Sequence, residues 1–215
     1  VSDGAGGAIV TWGDARSGTA TDVYAQRVLA SGRVYADFLD ALTPKVAALK
    51  VGNQLDESVK VGPMVKEKEA IRVEEWIKEA VSTGARLVTG GTRHGAMYAP
   101  TIVADVKPEM KISYDELFGP AVVVTPFTEI EDAIALANDT RYGLAAGIFT
   151  ENLEWAWKFA REVQSGNLHI NWGPQWRADL MPYGGLKESG FGKEGPAYAI
   201  EEMTELKMVV FHLSS

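Results

Sequence analysis

Asp115-Glu116-Leu117-Phe118-Gly119-Pro120-Ala121-Val122-Val123-Val124-Thr125-Pro126-Phe127 sets a sharp turn directly against a strand, and the alternation on either side of it follows from there. Gly119-Pro120 turns the backbone, and the apolar, β-branched run from Ala121 to Phe127 reads as a strand. Toward the C-terminus the periodicity predicts a helix around 129 to 138, a strand from Ala146 to Thr150, a helix around 152 to 164 and a strand from Asn167 to Asn171. Toward the N-terminus lie a strand from Thr101 to Val106, a Gly90-Gly91 turn and a strand from Arg86 to Thr89. Before them a helix over 65 to 83 gathers Ile71, Val73, Trp76, Ile77, Ala80 and Val81 on one stripe, with Gly84 as its C-cap. Phe38, Leu39, Leu42, Val46 and Leu49 also recur at helical spacing, and Pro44 is expected to kink that helix or start a new turn. The expected fold is α/β, a mostly parallel sheet flanked by helices. The closing run Leu206 to Leu213 has strand character and needs a neighbour.

The first 25 residues have a different texture. Asp3-Gly4-Ala5-Gly6-Gly7 and Gly13-Asp14-Ala15-Arg16-Ser17-Gly18 flank the β-prone Ala8 to Trp12, which predicts a hairpin with a second strand from Val23 to Leu29. This segment resembles one unit of the Asp-Gly-x-Gly-Gly repeats of some secreted β-rich bacterial proteins. A single unit cannot bury its own face, so it should dock on the remainder of the chain. The expected division is a hairpin extension over 1–25 and one α/β domain over 26–215.

Composition narrows the function. With 46% hydrophobic residues in 215, the chain can bury a sizeable core. A net charge of −8, with no basic run, disfavours nucleic acid and anionic membrane surfaces as partners. No apolar stretch approaches the ~20 residues of a spanning helix, and the N-terminus lacks the layout of a signal peptide. A cytoplasmic location is expected. The chain contains no cysteine, so it can supply neither a disulfide nor a thiolate. His94, His169 and His212 lack metal-ligand spacing, and no metal is expected.

Glu116 and Phe118 suit the edge of a coenzyme site: a carboxylate can accept two ribose hydroxyls while an aromatic face packs on a nicotinamide. A structural glutamate in a turn beside a core phenylalanine would look the same. Gly190-Phe191-Gly192-Lys193-Glu194-Gly195 has the form of a dinucleotide-binding loop, but no strand leads into it, and phosphate binding is not assigned.

Taken with Arg141-Tyr142-Gly143-Leu144-Ala145-Ala146-Gly147-Ile148-Phe149-Thr150 and Pro182-Tyr183-Gly184-Gly185-Leu186-Lys187-Glu188-Ser189-Gly190, the 115–120 motif resembles the catalytic domain of aldehyde dehydrogenases from about Gln26 to Leu213. The spacing is most similar to the non-phosphorylating glyceraldehyde-3-phosphate and lactaldehyde dehydrogenases. The resemblance implies NAD(P)-dependent oxidation of small aldehydes, with Glu116 and Phe118 facing the nicotinamide half of the coenzyme. It places Glu69 and Arg72 on a helix that can approach a ribose, where a solvated helix face is the plainer account. It makes 167–183 a strand and substrate-pocket loop in which Trp172, Gln175, Trp176, Arg177 and Tyr183 line the pocket. The aromatic trio is then either an apolar wall or core packing, Arg177 either holds an anionic substrate end or pairs with Asp179, and Asn171 braces the strand end. The family's terminal strand is completed by a hairpin, usually of a neighbouring subunit. A homo-oligomer, most simply a dimer, is therefore expected, with the N-terminal hairpin or a second copy covering the apolar edge.

The same resemblance exposes a gap. It puts Asp22 where the family holds its nucleophilic cysteine, and the family's general base and coenzyme domain have no counterpart in these residues. No catalytic residue is assigned and no tightly bound cofactor is expected. Three accounts stand: a catalytically silent domain, an enzyme half completed by another polypeptide, and a module that binds an aldehyde or nucleotide without turnover.

Overall fold

The computed structural model describes the backbone of residues 9–13 and the whole of residues 27–213. In chain order its elements are β1 (Ile9–Gly13), β2 (Arg27–Ser31), α1 (Tyr35–Ala47), α2 (Glu67–Ser82), β3 (Arg86–Thr89), β4 (Arg93–His94), β5 (Met97–Tyr98), β6 (Thr101–Ala104) and α3 (Lys111–Tyr114). There follow β7 (Ala121–Phe127), α4 (Ile130–Asn138), β8 (Tyr142–Gly143), β9 (Ala145–Phe149), α5 (Leu153–Glu162), β10 (Asn167–Ile170), β11 (Leu186–Lys187) and α6 (Pro196–Met203).

Seven strands form one sheet in the order β10-β9-β1-β2-β7-β6-β3. β2, β7 and β6 pair in parallel, as do β9 and β10, while β1 is antiparallel to both β2 and β9. Two reversals through β1 leave β9 pointing the same way as β2. Only β1 and the antiparallel edge strand β3 oppose the other five strands, and because both of β1's pairings and that of β3 are antiparallel, the sheet of this α/β fold is mixed rather than mostly parallel.

The antiparallel register of β1 on β2, from Ile9 opposite Ala30 to Trp12 opposite Arg27, is that of the expected hairpin. Asp22 and the start of the expected second strand, Val23 to Gln26, lie outside the described residues. β1 does not cover an exposed surface. It occupies the sheet interior, with β9 bonding its other edge from Ile9 opposite Phe149 to Gly13 opposite Ala145. An interior place gives both backbone edges of the strand a partner, which surface docking would not.

Strand alternation distributes the core over two faces. Val28, Ala30, Ile102, Ala104 and Val124 turn to one face and pack with Leu39 of α1. Leu29, Val103 and Val123 turn to the other, where α2 contributes Val73, Ile77 and Ala80, α4 contributes Ala133 and Ile134, and α5 contributes Phe159. β2 is buried along its whole length because helices cover both faces there.

Of the two effects expected of Pro44, it does not start a new helix: α1 runs through it. Proline removes one donor from the ladder, while the neighbouring Thr43 hydroxyl donates to Leu39 O at 2.7 Å in the same turn. The run Leu206 to Leu213 also differs, carrying no strand and standing exposed. A strand exists only with a ladder partner, and none is present for this run among the described residues.

Candidate functional site

The Asp115–Pro120 turn is anchored by Leu117, which is driven fully into the core beside Val73 and Ile112. On either side of that anchor, Glu116 is half-buried and Phe118 is 59% exposed. Phe118 is no core residue. Its backbone is left-handed, with φ of 46°, a conformation that costs a non-glycine residue about 1–2 kcal/mol. Gly119 follows because α2 presses close: a Cβ there would sit 2.7 Å from Val73 Cγ2. The turn closes with Ala121 N–H donating to Gly119 O at 2.7 Å and Thr101 N–H donating to Pro120 O at 2.9 Å.

Arg72 is no bystander on a solvated helix face. Its Nη2 donates to Leu117 O at 2.8 Å while its Nε pairs with Glu69 at 2.8 Å, so the guanidinium ties α2 to the centre of the turn. The Arg72 guanidinium and Lys111 Nζ each lie over the Trp76 ring, at 4.8 and 4.4 Å from its centroid.

At the end of β10 the backbone of Asn171 is left-handed, φ 58°, and its Oδ1 accepts from Thr150 N–H at 2.8 Å. Asn171 thus braces the strand end. Gly147 of β9 lies directly beneath the loop, where a Cβ would meet Trp172 O at 2.7 Å.

The five pocket candidates occupy different environments. Trp172 and Trp176 are 58% and 50% exposed, Tyr183 is buried with Leu144 and Ala145, and the Gln175 amide folds back over Gly173. Trp176 meets His169 edge to face at 6.1 Å, and burial holds the His169 imidazole below its usual pKa. Arg177 pairs with Glu194 at 2.9 Å, rather than with Asp179, and its guanidinium lies 5.0 Å from the Tyr183 ring centroid.

The glycine-rich loop is built around the chain's own acid. Gly190, Gly192 and Gly195 all have positive φ, Lys193 N–H donates to Glu202 Oε1 at 3.0 Å, and a Cβ on Gly192 would lie 2.6 Å from Glu202 Oε2. A carboxylate occupying this position repels a phosphate, and Lys193 Nζ is turned to Gly184 O at 3.0 Å. The residues do not fit a pyrophosphate there. The open depression beside the loop, about 400 Å³, is bordered by Gly185–Lys187 and Gly190–Lys193 and is almost wholly apolar. Among the described residues, no three His, Asp or Glu side chains are placed to hold a metal ion, and no helix is long and apolar enough to cross a membrane.

Arg27 is the residue that motif reading passed over. It is 2% exposed, and its Nη1 donates to Ser113 O at 2.9 Å and to Ser113 Oγ at 3.0 Å. Burial lowers its pKa to about 10, with Asp139 acting in the opposite direction. The available signal was a single cation at the head of the apolar run Val28-Leu29-Ala30.

Sheet, flanking helices and strained turn together define an α/β domain class. It belongs to the aldehyde dehydrogenase family, matching that family over residues 20–209. It is 50% identical over 188 residues to a 3-sulfolactaldehyde dehydrogenase of Priestia aryabhattai, covering 87% of this chain and 39% of the relative. It is 38% identical over 186 residues to a lactaldehyde dehydrogenase of Methanococcus maripaludis, covering 86% of this chain and 40% of the relative. Among solved structures, the glyceraldehyde-3-phosphate dehydrogenase GapN of Methanocaldococcus jannaschii complexed with NADP superposes with a TM-score of 0.82 at 35% identity, over 87% of this chain and 41% of that one. Aldehyde dehydrogenase 21 of Physcomitrella patens, in complex with succinate, gives 0.81 at 38% identity over 86% and 38%. The chain therefore spans about two-fifths of the length of the relatives it matches.

Proposed function

We propose that these 215 residues form a non-catalytic aldehyde dehydrogenase domain that retains a nicotinamide-facing edge and a pocket loop and supplies no nucleophile. The observation that carries this reading is the absence of cysteine from a chain matching the family over residues 20–209. By resemblance Asp22 stands in the nucleophile's place, and a carboxylate cannot form the thiohemiacetal from which hydride would leave. The division at residue 25 is part of the proposal, with Ile9–Gly13 as a strand lent to the family sheet.

NAD(P) is the coenzyme this reading implies. The half-buried Glu116 carboxylate and the exposed Phe118 ring suit a ribose and a nicotinamide, and the coenzyme when bound would supply the hydride acceptor. The glycine loop offers its phosphates nothing, so weak binding is expected. Trp172, Gln175, Trp176, Arg177 and Tyr183 are the proposed substrate-facing residues, and a small oxygenated or anionic aldehyde is the proposed ligand class. Fluorescence titration with NADH and NADPH tests this: weak binding, diminished by Phe118→Ala and Glu116→Gln, supports the edge. Binding unaffected by either variant counts against it.

A second reading, an enzyme half completed by another polypeptide, is favoured by α6, which has no buried residue, and by the exposed run beyond it. A homodimer using the same surface, in the cytoplasm, is the assembly we propose for the chain alone.

A further inference from the structure

The turn bearing Glu116 and Phe118 continues from α3, and two arginines from different elements, β2 and α2, hold this stretch. From the sheet, buried Arg27 donates to the carbonyl and hydroxyl of Ser113, and its Nη2 donates to Leu136 O on α4. From α2, Arg72 donates to Leu117 O, with Glu69 fixing the other side of its guanidinium. At the start of α3, ahead of both points, Lys111 lies over the same Trp76 ring as Arg72. Charge-assisted bonds to carbonyl oxygens are stronger than neutral ones, and a planar fork can serve two acceptors at once, which an ammonium cannot do with the same geometry. Such restraint suits a segment that ends in a left-handed phenylalanine, because a strained backbone persists only where its surroundings determine it.

We propose that Arg27 and Arg72 are paired positioning residues that clamp Lys111–Phe118 between the sheet and α2 and so fix the backbone that presents Glu116 and Phe118. The role of that backbone in meeting nicotinamide rests on the function proposed above; the clamp itself does not. Neither arginine touches the coenzyme in this account. Each acts through a carbonyl of the segment.

Amide hydrogen exchange on the purified chain reads the clamp without any ligand. In Arg72→Gln, with far-UV circular dichroism unchanged, the amides from Asp115 to Ala121 should exchange at least ~10-fold faster, the scale expected for loss of one charge-assisted bond. Arg72→Lys should not restore protection, since a single nitrogen does not reproduce the fixed spacing of Nε and Nη2 with which Arg72 meets Glu69 and Leu117. Ser113→Ala removes one acceptor of Arg27 and leaves the guanidinium in place, giving a milder variant should replacement of Arg27 prevent folding; it should loosen Lys111 to Asp115 selectively. Exchange unchanged in both Arg72→Gln and Ser113→Ala, or loosened uniformly over the chain, overturns the proposal. Nicotinamide mononucleotide, titrated by saturation-transfer NMR, separates this from the coenzyme reading. Binding by the parent that weakens in Arg72→Gln supports both. Local loosening with no binding by the parent supports the clamp and counts against the coenzyme edge.

Discussion

Arg177 donates to Glu194 at 2.9 Å while its guanidinium lies against the Tyr183 ring, so the cation proposed to greet an anionic substrate is already engaged by a carboxylate of its own chain. Both side chains of the pair are about half exposed or more, 49% and 68%, and such pairs contribute about 0–1 kcal/mol. Glu194→Gln should therefore move the melting temperature by no more than about 4 °C. The same substitution should raise affinity for a three-carbon hydroxy acid, read by NMR line broadening. An affinity that does not rise, or that survives Arg177→Ala, would remove Arg177 from the pocket.

Tyr35 and Asp105 define the expected pH response. The Tyr35 hydroxyl donates to Asp105 Oδ1 at 2.6 Å and accepts from Asp105 N–H at 2.9 Å, and Arg86 Nε pairs with the other carboxylate oxygen at 2.8 Å. Burial pushes the Asp105 carboxyl up, but the bonds from Tyr35 and Arg86 together hold it below its ordinary 3.8. Burial, then the bond to Asp105, pushes Tyr35 up to about 12. A depressed acid stabilises above its unfolded pKa and loses that contribution as pH falls through the folded value. A raised tyrosine stabilises below its unfolded pKa near 10 and loses that contribution as pH rises toward about 12. Asp105→Asn should flatten the loss of stability below pH ~4 in urea melts. An unchanged acid limb would show that the network contributes nothing.

Two phenylalanines separate fold from function. Phe159 of α5 is fully buried in the core with Ala133 and Ile134 of α4, and its replacement by Ala should cost about 3–5 kcal/mol in urea unfolding. Phe118 is exposed and strained, and Phe118→Gly should be neutral or stabilising by up to about 1 kcal/mol, because glycine adopts positive φ freely. A large destabilisation by Phe118→Gly would make that ring a packing residue and weaken the case for a ligand.

The exposed run beyond α6 bears on assembly. Met208 and Phe211 are 87% and 84% exposed, and an apolar, β-prone segment with unpaired backbone invites pairing with another chain. Light scattering after gel filtration at micromolar concentration should report a dimer. A strictly monomeric protein with a protease-sensitive tail beyond Thr204 would contradict this.

The α/β alternation was legible because β3, β7, α4, α5 and β10 each have a clear period and fall within a residue or two of their expected bounds. The interior place of β1 was not, because its second partner, β9, is distant in sequence and a hairpin pattern does not say which outer edge will be bonded. Glu116 and Phe118 stood out as a short motif with a turn after it. Arg27 and Glu194 did not, since their roles depend on contacts across the fold: Arg27 on Ser113, Glu194 on Arg177. Trp172 and Trp176 could be named from sequence, but their exposure is set by the path of a loop that has no periodicity.

The most direct test of a non-catalytic domain is an aldehyde-dependent reduction assay on the purified chain, with NAD or NADP and a panel of short oxygenated aldehydes. No growth in reduced-nicotinamide absorbance is expected, because these residues contain no thiol. Asp22→Cys should likewise give none, although slow hydrolysis of an activated ester by that variant and not by the parent would support the placement of residue 22. Steady, heat-labile growth of the nicotinamide signal with the parent chain would contradict the account.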